Sequence, residues 1–211
     1  MHSITIITTT EETDMDIVIN GTKADITLDE EKKLGQVLAA LEEEFSHNQA
    51  TTVAISVNGK SVLAEEFNSI TEMPIEEVST LNLTTVTQDD ILISFKEIGQ
   101  EFSLIAENLK QLSIMFQNGQ DKTAVETVKR LADAVNSFCH VATLSTLFPE
   151  KFADIKLNNM SVSDFFAELS PILTDFEQGF QNSDSVLMGD LAEYEICPRI
   201  EAIINMTKNL V

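Results

Sequence analysis

The spacing of apolar residues changes within one short stretch of the chain, residues 81–105, which read LNLTTVTQDDILISFKEIGQEFSLI. Before Gln88-Asp89-Asp90, apolar and polar residues alternate, as they do in a half-buried strand. After it, apolar residues recur at alternating steps of four and three, which places them on one side of a long helix. We therefore expect an α+β chain made of two differently built domains, residues 15–88 and 89–211, preceded by a flexible leader, residues 1–14.

The first domain is predicted to be a mixed sheet with one helix. The pairs Asn20-Gly21 and Asn58-Gly59 each favour a two-residue hairpin, because both of their positions tolerate a positive φ. Between the hairpins, a helix is expected to begin at a cap on Asp29 and to end near Phe45. The order strand, strand, helix, strand, strand, strand requires this helix to cover one face of the sheet.

Three pieces of this domain carry a family resemblance: Ile17-Val18-Ile19-Asn20-Gly21, Leu34-Gly35-Gln36-Val37-Leu38 and Val57-Asn58-Gly59-Lys60. On these pieces, residues 15–88 resemble the ubiquitin-like β-grasp proteins, most of all the small sulfur carriers of thiamin and molybdopterin synthesis. The resemblance covers about a third of the chain. It implies a β-grasp fold with an exposed sheet face and edge onto which other proteins dock.

The chain departs from the sulfur carriers where their chemistry resides. Those proteins end in a free Gly-Gly whose terminal carboxylate is activated. Here the last predicted strand runs through Thr85-Val86-Thr87-Gln88 into Asp89-Asp90, with no glycine and no chain end. We therefore transfer no carrier function to this protein.

The second domain is predicted to be an antiparallel four-helix bundle with short links. The four amphipathic stretches occupy residues 90–116, 121–148, 161–180 and 184–210. The first is expected to be one unbroken helix. Pro171 and Pro198 fall inside the last two stretches, where each removes a backbone hydrogen bond and should kink or split its helix.

The charge of the chain excludes some classes of partner. It has 35 acidic and 13 basic residues and a formal net charge of −22, so its surface repels nucleic-acid phosphates and anionic lipid headgroups. We expect binding to neither. No basic and apolar signal region opens the chain, and Cys139 and Cys197 are expected to be buried thiols without a disulfide framework. These observations favour a cytoplasmic protein.

The sequence predicts no catalytic residue, no cofactor and no metal site. The one Glu-x-x-His spacing, Glu44 to His47, lies at a predicted helix end, where a histidine is stabilised by the helix dipole. His140 neighbours Cys139 but points about 100° away from it around a helix. Runs of glutamate such as Glu65-Glu66 are interpreted as solvated surface.

The two arginines of the chain mark the most plausible polar feature of the bundle. Arg130 and Arg199 each follow a glutamate by one turn, Glu126 and Glu195, so the simpler interpretation is a pair of weak surface ion pairs. The alternative is that Tyr194, Glu195 and Arg199 lie inside the bundle as polar residues, since Glu195 stands between an aromatic and an aliphatic neighbour.

A partner-binding groove is a further hypothesis. Phe148, Phe152 and Met160 lie around the longest connector of the bundle, where a groove for a partner helix could open. The competing interpretation is that phenylalanines at helical spacing simply form the core.

Three functional hypotheses follow. The first is a non-enzymatic protein–protein interaction module, an adaptor or chaperone-like protein whose partner is another protein. The alternative is a helical bundle that binds a small molecule or a metal, possibly an enzyme, through Glu195, Arg199 and His140. The third is a homodimer in which the long first helix pairs with its twin.

Overall fold

The computed structural model describes residues 15–28 and 31–210, so the predicted leader, residues 1–14, lies outside the described residues. The chain divides into two compact units, with the division between Gln88 and Asp89. The first unit holds a five-stranded mixed sheet, and the second is mainly helical. The prediction of an α+β chain is confirmed.

The first unit is a sheet with one long helix. In chain order it contains β1 (Asp16–Ile19), β2 (Thr22–Lys23), α1 (Leu34–His47), β3 (Ala50–Val57), β4 (Lys60–Ser61), α2 (Phe67–Thr71) and β5 (Thr80–Thr87), with 3₁₀ turns at Ala64–Glu66 and Ile75–Glu77. The strand order is β2-β1-β5-β3-β4. β1 runs parallel to β5, and the other neighbouring strands are antiparallel.

Both predicted hairpins are confirmed. Asn20 and Gly21 have φ values of 49° and 78°, and Asn58 and Gly59 have 51° and 79°, as a two-residue turn with positive φ at both positions requires. Each asparagine side chain also reaches the central strand. Asn20 Oδ1 accepts the N–H of Thr85 at 2.9 Å, and Asn58 Oδ1 accepts the N–H of Thr80 at 3.2 Å. The two turns therefore hold β5 in register with both hairpins.

Helix α1 begins later than the sequence suggested. Its first residue is Leu34, and the predicted cap, Asp29, lies outside the described residues. Gln36 Oε1 accepts the N–H groups of Lys32 at 2.8 Å and Lys33 at 3.1 Å, so a glutamine side chain satisfies donors at the helix start. The buried face of α1 consists of Leu34, Val37, Leu41 and Phe45, which belong to one core with Ile17, Leu81 and Leu83 of the sheet.

From Gln88 onward the chain is mostly helix. It contains α3 (Gln88–Leu109), α4 (Leu112–Gln117), α5 (Asp121–Ser145), α6 (Pro149–Phe152), β6 (Lys156–Leu157), β7 (Met160–Ser161), α7 (Val162–Gln181), α8 (Ser185–Asp190) and α9 (Cys197–Leu210). A π-helical turn, Leu191–Ile196, joins α8 to α9. None of the helices in the described ranges is long and apolar enough to cross a membrane.

One prediction about helix continuity is wrong, and another is answered in part. The first predicted helix is broken at Lys110 and Gln111, where the N–H of Gln111 bonds to Asn108 in a tight turn. The break follows the buried Leu109 and precedes the buried Leu112, so both side chains stay in the core. Helix α7 continues through Pro171 without a split.

The connector between α5 and α7 contains a short hairpin that the sequence interpretation missed. Strands β6 and β7 pair through Leu157 and Met160, and the turn residues Asn158 and Asn159 have φ values of 51° and 66°. Asparagine is the residue that tolerates positive φ best after glycine, so Asn158-Asn159 was the available signal. The predicted cap that follows is confirmed, since Ser161 Oγ accepts the N–H of Asp164 at 3.1 Å.

Helix α3 runs antiparallel to both α5 and α9. Towards α5, the rings of Phe95 and Phe138 lie 5.8 Å apart at the start of α3, and Glu101 meets Arg130 farther along it. Towards α9, Gly99 lies against Thr207, and Ala106 lies near Cys197. Phe138 also lies 5.5 Å from the ring of Phe166 on α7, so these aromatic rings link three helices.

Candidate functional site

Two of the three predicted partner-binding residues are core residues. Phe148 is 7% exposed and Phe152 is 5% exposed, and the ring of Phe152 lies 6.2 Å from that of Phe95. Met160 is half-buried in β7. Both phenylalanines are thus buried in the core of the second unit, as the competing interpretation expects, and Phe152 also lines the groove described next. Their part in partner binding stays a prediction.

A groove does open at the same connector, with other side chains as most of its wall. Its volume is about 590 Å³, and we call it the connector groove. Its lining includes Cys139, Ala142, Thr143, Thr146, Phe152, Ile155, Val162 and Phe166. The hydroxyls of Thr143 and Thr146 donate to carbonyls of their own helix, at 2.9 and 2.7 Å. The groove surface is therefore largely apolar.

Cys139 is exposed in this groove, which contradicts the prediction of a buried residue. Desolvation of its Sγ atom raises the pKa of the thiol. A thiol with a raised pKa is a weaker nucleophile at neutral pH than an ordinary cysteine. Cys197 is buried as predicted, and burial raises its pKa to about 11.

Of the predicted inner polar residues, one lies at the surface and two are half-buried. Tyr194 is 66% exposed, so its placement inside the bundle is wrong. The side chains of Arg199 and Glu195 are 24% and 47% exposed. Arg199 Nη1 donates to Glu195 Oε2 at 2.8 Å and to the Glu195 carbonyl at 2.9 Å. The simpler prediction, an i,i+4 ion pair, is confirmed for this arginine.

The backbone at this place is unusual. The π-helical turn Leu191–Ile196 ends two residues before Pro198, which has no N–H to give to the preceding turn. The Arg199 guanidinium donates to the carbonyl of Glu195 at 2.9 Å. The widened turn thus lies directly before Pro198, while α9 itself continues through the proline. Such turns occur often at functional sites, although this one borders none of the grooves described here.

Arg130 has a different partner from the one predicted. Its Nε donates to Oε1 of Glu101 on α3 at 2.8 Å, and its Nη2 lies 2.8 Å from the same oxygen in an ion pair. Glu126, the predicted partner one turn earlier, makes no such contact. The arginine therefore links α5 to α3. A rule based on sequence spacing considers only pairs within one helix and could not predict this contact.

A second groove lies in the first unit, and the sequence interpretation missed it. It runs between α1 and the outer side of β3, has a volume of about 730 Å³, and is called the helix–strand groove. Its lining includes Leu38, Ala39, Glu42, Val53, Ile55, Val62, Leu63 and Phe67. Leu63, Phe67 and Val53 are 58%, 42% and 39% exposed. Exposed apolar side chains that gather in one concave surface are typical of interaction sites.

The strand edge beside this groove is partly closed. β4 pairs with β3 only at Ser56 and Val57, which leaves the first half of β3 without an outer strand among the described residues. Glu42 of α1 covers this edge. Its carboxylate accepts the hydroxyl of Thr51 at 2.6 Å and both the N–H and the hydroxyl of Thr52, at 3.2 and 2.9 Å. An added strand would have to displace this carboxylate.

Within residues 15–28 and 31–210, no group of three or more histidine, cysteine, aspartate or glutamate side chains is arranged to hold a metal ion. His47 ends α1 and is exposed, and His140 is exposed on α5. His140 is also absent from the lining of the connector groove. Glu195, Arg199 and His140 are thus not brought together at either groove.

Comparison with known families places the helical unit. Residues 93–206, which are 114 of the 211 residues, match the domain of unknown function DUF8042. The chain belongs to the DUF8042 family. The DUF8042 match includes the connector groove and the π-helical turn. Residues 15–87 match a second family, the TP0873 N-terminal domain, which includes the helix–strand groove.

One relative of this DUF8042 protein spans both units. It is a protein of Treponema pallidum (strain Nichols) described as an uncharacterized protein, and it is 28% identical over 184 residues. The alignment covers 87% of this chain and 92% of the relative. No solved structure matches the chain.

Proposed function

We propose that this protein is a non-enzymatic interaction module, an adaptor or chaperone-like protein, whose partner is another protein. The observation that supports the proposal is that each of the two units leaves a largely apolar groove open to solvent. The cost of leaving apolar side chains in water is ordinarily avoided, so a retained groove of this kind favours a binding role.

The proposal includes the finer fold of each unit. The first unit is a β-grasp domain, supported by two hairpins, β1–β2 and β3–β4, that flank the central β5 while α1 connects them. The second unit is an antiparallel four-helix bundle, supported by the antiparallel contacts of α3 with α5 and α9. The helix–strand groove lies between α1 and the edge of this sheet.

We also propose a cytoplasmic location and a function without catalysis. Two free cysteines, one of them exposed, favour a reducing compartment. The thiol of the connector groove has a raised pKa, which suits a wall of the groove better than a nucleophile.

The partner is proposed to be a different protein, with a homodimer as the less supported choice. The seam of α3 that suggested a dimer is buried within one chain, where Phe95, Phe102 and Ile105 are each 0% exposed. A twin helix therefore has no free seam to pair with. Sedimentation of the purified protein at several concentrations should show a monomer.

The experiment that tests the proposal is quantitative purification from the source cells. The full-length protein carries a small tag, the cells are cross-linked gently, and the recovered proteins are counted by mass spectrometry. We expect one other protein at a molar ratio near that of the tagged chain and absent from a tag-only control. Recovery of the tagged chain alone, under several cross-linking conditions, would contradict an adaptor role.

A second candidate function rests on the connector groove. Its volume of about 590 Å³ lies in the range of small-molecule pockets, and its lining is apolar with a few hydroxyls. The helical unit could thus bind a small apolar molecule. Native mass spectrometry of protein purified without detergent should then show a retained mass above that of the bare chain, and a bare-chain mass throughout would remove this candidate.

A further inference from the structure

The apolar side chains that line the helix–strand groove are unusually exposed for one small surface. Leu63 is 58% exposed, Phe67 42% and Val53 39%, and all three belong to the same concave lining. Burying them against a partner would remove apolar surface from water, which is the main driving force of association.

One glutamate lines this groove, and two more are close in sequence to lining residues. Glu42 lies in the lining, Glu43 lies one turn beyond the lining residue Ala39, and Glu65 follows the lining residue Ala64. The three carboxylates have no cationic partner among the described residues. Lys33 and Lys60, the lysines nearest in sequence to the lining, are already paired with Glu72 and Glu66.

The charge around the groove favours a basic partner segment over a second copy of the chain or its own leader. A second copy of this chain carries a net charge of −22 and would bring further carboxylates to the groove. The leader of the chain holds Glu11, Glu12 and Asp14 and no lysine or arginine, so it is disfavoured for the same reason. A segment with lysine or arginine around an apolar face would be attracted by the three glutamates around the groove and buried by the lining.

The blocked strand edge favours a helix over an added strand as the bound segment. Because Glu42 accepts the N–H of Thr52, strand addition to the first half of β3 would leave a carboxylate and a backbone donor to find new partners. A helix that lays its apolar face into the groove disturbs neither group.

From these observations we propose that the helix–strand groove binds a cationic amphipathic helix of a partner protein, with Leu63, Phe67 and Val53 as its apolar floor and Glu42, Glu43 and Glu65 as its acidic rim. This inference rests on the proposed role as an interaction module and specifies the surface and the chemistry of the partner.

The test uses the full-length protein and a synthetic helical peptide with leucine on one face and lysine on the other. Binding is measured by calorimetry, and the contact surface by amide chemical shifts. We expect shifts centred on residues 38–42, 52–55 and 62–67. The Leu63→Ser/Phe67→Ser variant should bind at least about tenfold more weakly, while the matched Val186→Ser, whose residue is 67% exposed in the other unit, should stay within about twofold.

A charge pair of variants separates the rim from general attraction to an acidic protein. Glu43→Lys/Glu65→Lys should weaken binding severalfold, and the same charge change at Glu126→Lys/Glu168→Lys, on exposed positions of the second unit, should weaken it much less. Circular dichroism melting of each variant checks that all of them stay folded, which is expected because every substituted residue is exposed.

Several outcomes would overturn the inference. Equal binding by all the variants, or by a scrambled peptide of the same composition, would show attraction by net charge alone. Equal binding of a leucine–glutamate peptide would refute the role of the rim. Self-association that Leu63→Ser/Phe67→Ser abolishes would make a second copy the occupant.

The inference can fail while the proposed function stands. If the cell purification recovers a stoichiometric partner equally well with Leu63→Ser/Phe67→Ser as with the native chain, the adaptor role holds and the helix–strand groove is not its site. If no partner is recovered and no peptide binds, both are refuted.

Discussion

Single side chains in this protein take partners that sequence spacing does not reveal. Arg130 is the clearest case, since it pairs with Glu101 across two helices and not with Glu126 on its own helix. Spacing rules consider one helix at a time, whereas the planar guanidinium selects whichever carboxylate lies in its plane. Arg199, by contrast, takes the local partner, Glu195.

A double-mutant cycle on Arg130 tests this assignment. We expect a coupling energy of about 0.5 kcal/mol between Arg130→Ala and Glu101→Ala in the free energy of unfolding, typical of a half-exposed ion pair. The matched cycle with Glu126→Ala should give a coupling near zero, as measured by urea denaturation. Coupling with Glu126 and none with Glu101 would show that the local partner is the true one.

The two cysteines should differ strongly in reactivity. At pH 8 an alkylating reagent should modify Cys139 first, because it is exposed and Cys197 is 2% exposed with a pKa of about 11. Since the usual pKa of the thiol is 9.0, a pKa of about 11 alone lowers the thiolate fraction of Cys197 by about 100-fold. Mass spectrometry should show one added group in the native protein and two in urea.

The pH dependence of this alkylation has a defined direction. Because burial also raises the pKa of Cys139, its rate should still be rising with pH where an ordinary cysteine has levelled off. Cys139→Ser should remove the first modification and leave the slow one. A fast modification that survives in Cys139→Ser would contradict the burial of Cys197.

At the scale of whole elements, turns were easier to predict than helix breaks. The turns at Asn20-Gly21 and Asn58-Gly59 can be predicted because few residue pairs accept two positive φ values in succession. The break at Lys110 and Gln111 has no such marker. Apolar residues continue through it at helical steps. The break lies between two buried leucines, Leu109 and Leu112, so its position depends on how these side chains pack in the core.

The hairpin turn at Asn58 should depend on two separate properties of its asparagine. Asn58→Ala loses the side-chain bonds to Glu77, Ser79 and Thr80 and also forces alanine into a φ of 51°, at about 1–2 kcal/mol for the backbone alone. Asn58→Gly loses the same bonds without the backbone cost. Urea denaturation should therefore show a greater loss of stability for the alanine variant. Equal losses would mean that the backbone strain is relieved.

The crossing of α3 and α9 should depend on the absence of a side chain at Gly99. A Cβ atom there would overlap Oγ1 of the buried Thr207 and lie 3.0 Å from its Cβ. Gly99→Ala should therefore destabilise the protein by about 1–3 kcal/mol. Addition of Thr207→Ala should recover part of the loss, since it removes the nearer atom, so the two changes should be strongly non-additive in thermal unfolding. Additive losses would contradict the close approach.

The buried faces of the later helices show the limit of pattern reading. On α5 the small residues Ala124, Thr127 and Ala134 are buried, whereas Val125, Val128 and Val135 are only half-buried. Small residues fit where helices approach closely, and a hydrophobicity count passes over them in favour of valine. The helix–strand groove was missed for a related reason, because its floor comes from α1, β3 and the chain around Leu63, which are far apart in sequence.

At the scale of the whole molecule, self-repulsion should be a large part of the stability balance. The chain carries a net charge of −22, and its 35 acidic residues cannot be matched by 13 basic ones. The division into two units, by contrast, follows directly from the change in apolar spacing at Gln88-Asp89, since strands and helices need different periods to present one apolar face.

Salt should therefore stabilise this protein. Between about 0.01 and 0.15 M sodium chloride the Debye length falls from about 30 to about 8 Å, which screens repulsion between exposed carboxylates. The midpoint of thermal unfolding should rise by several degrees, and the same change in sucrose concentration should not reproduce the salt dependence. A midpoint that falls with salt would mean that the ion pairs outweigh the repulsion.

The widened turn Leu191–Ile196 has a consequence for how the last helix tolerates changes in length. Met188, Ala192, Ile196 and Ile200 are all buried at a uniform step of four, and three such steps in a regular α-helix would rotate the last of them about 120° away from the first. The π-helical turn compensates for this rotation. It acts as a one-residue insertion that leaves the buried faces of α8 and α9 aligned. Removal of a single exposed residue such as Glu193 would convert the π-helical turn into a regular α-helical turn. A deletion in α9 would instead rotate every later side chain by about 100° and out of its packing contacts.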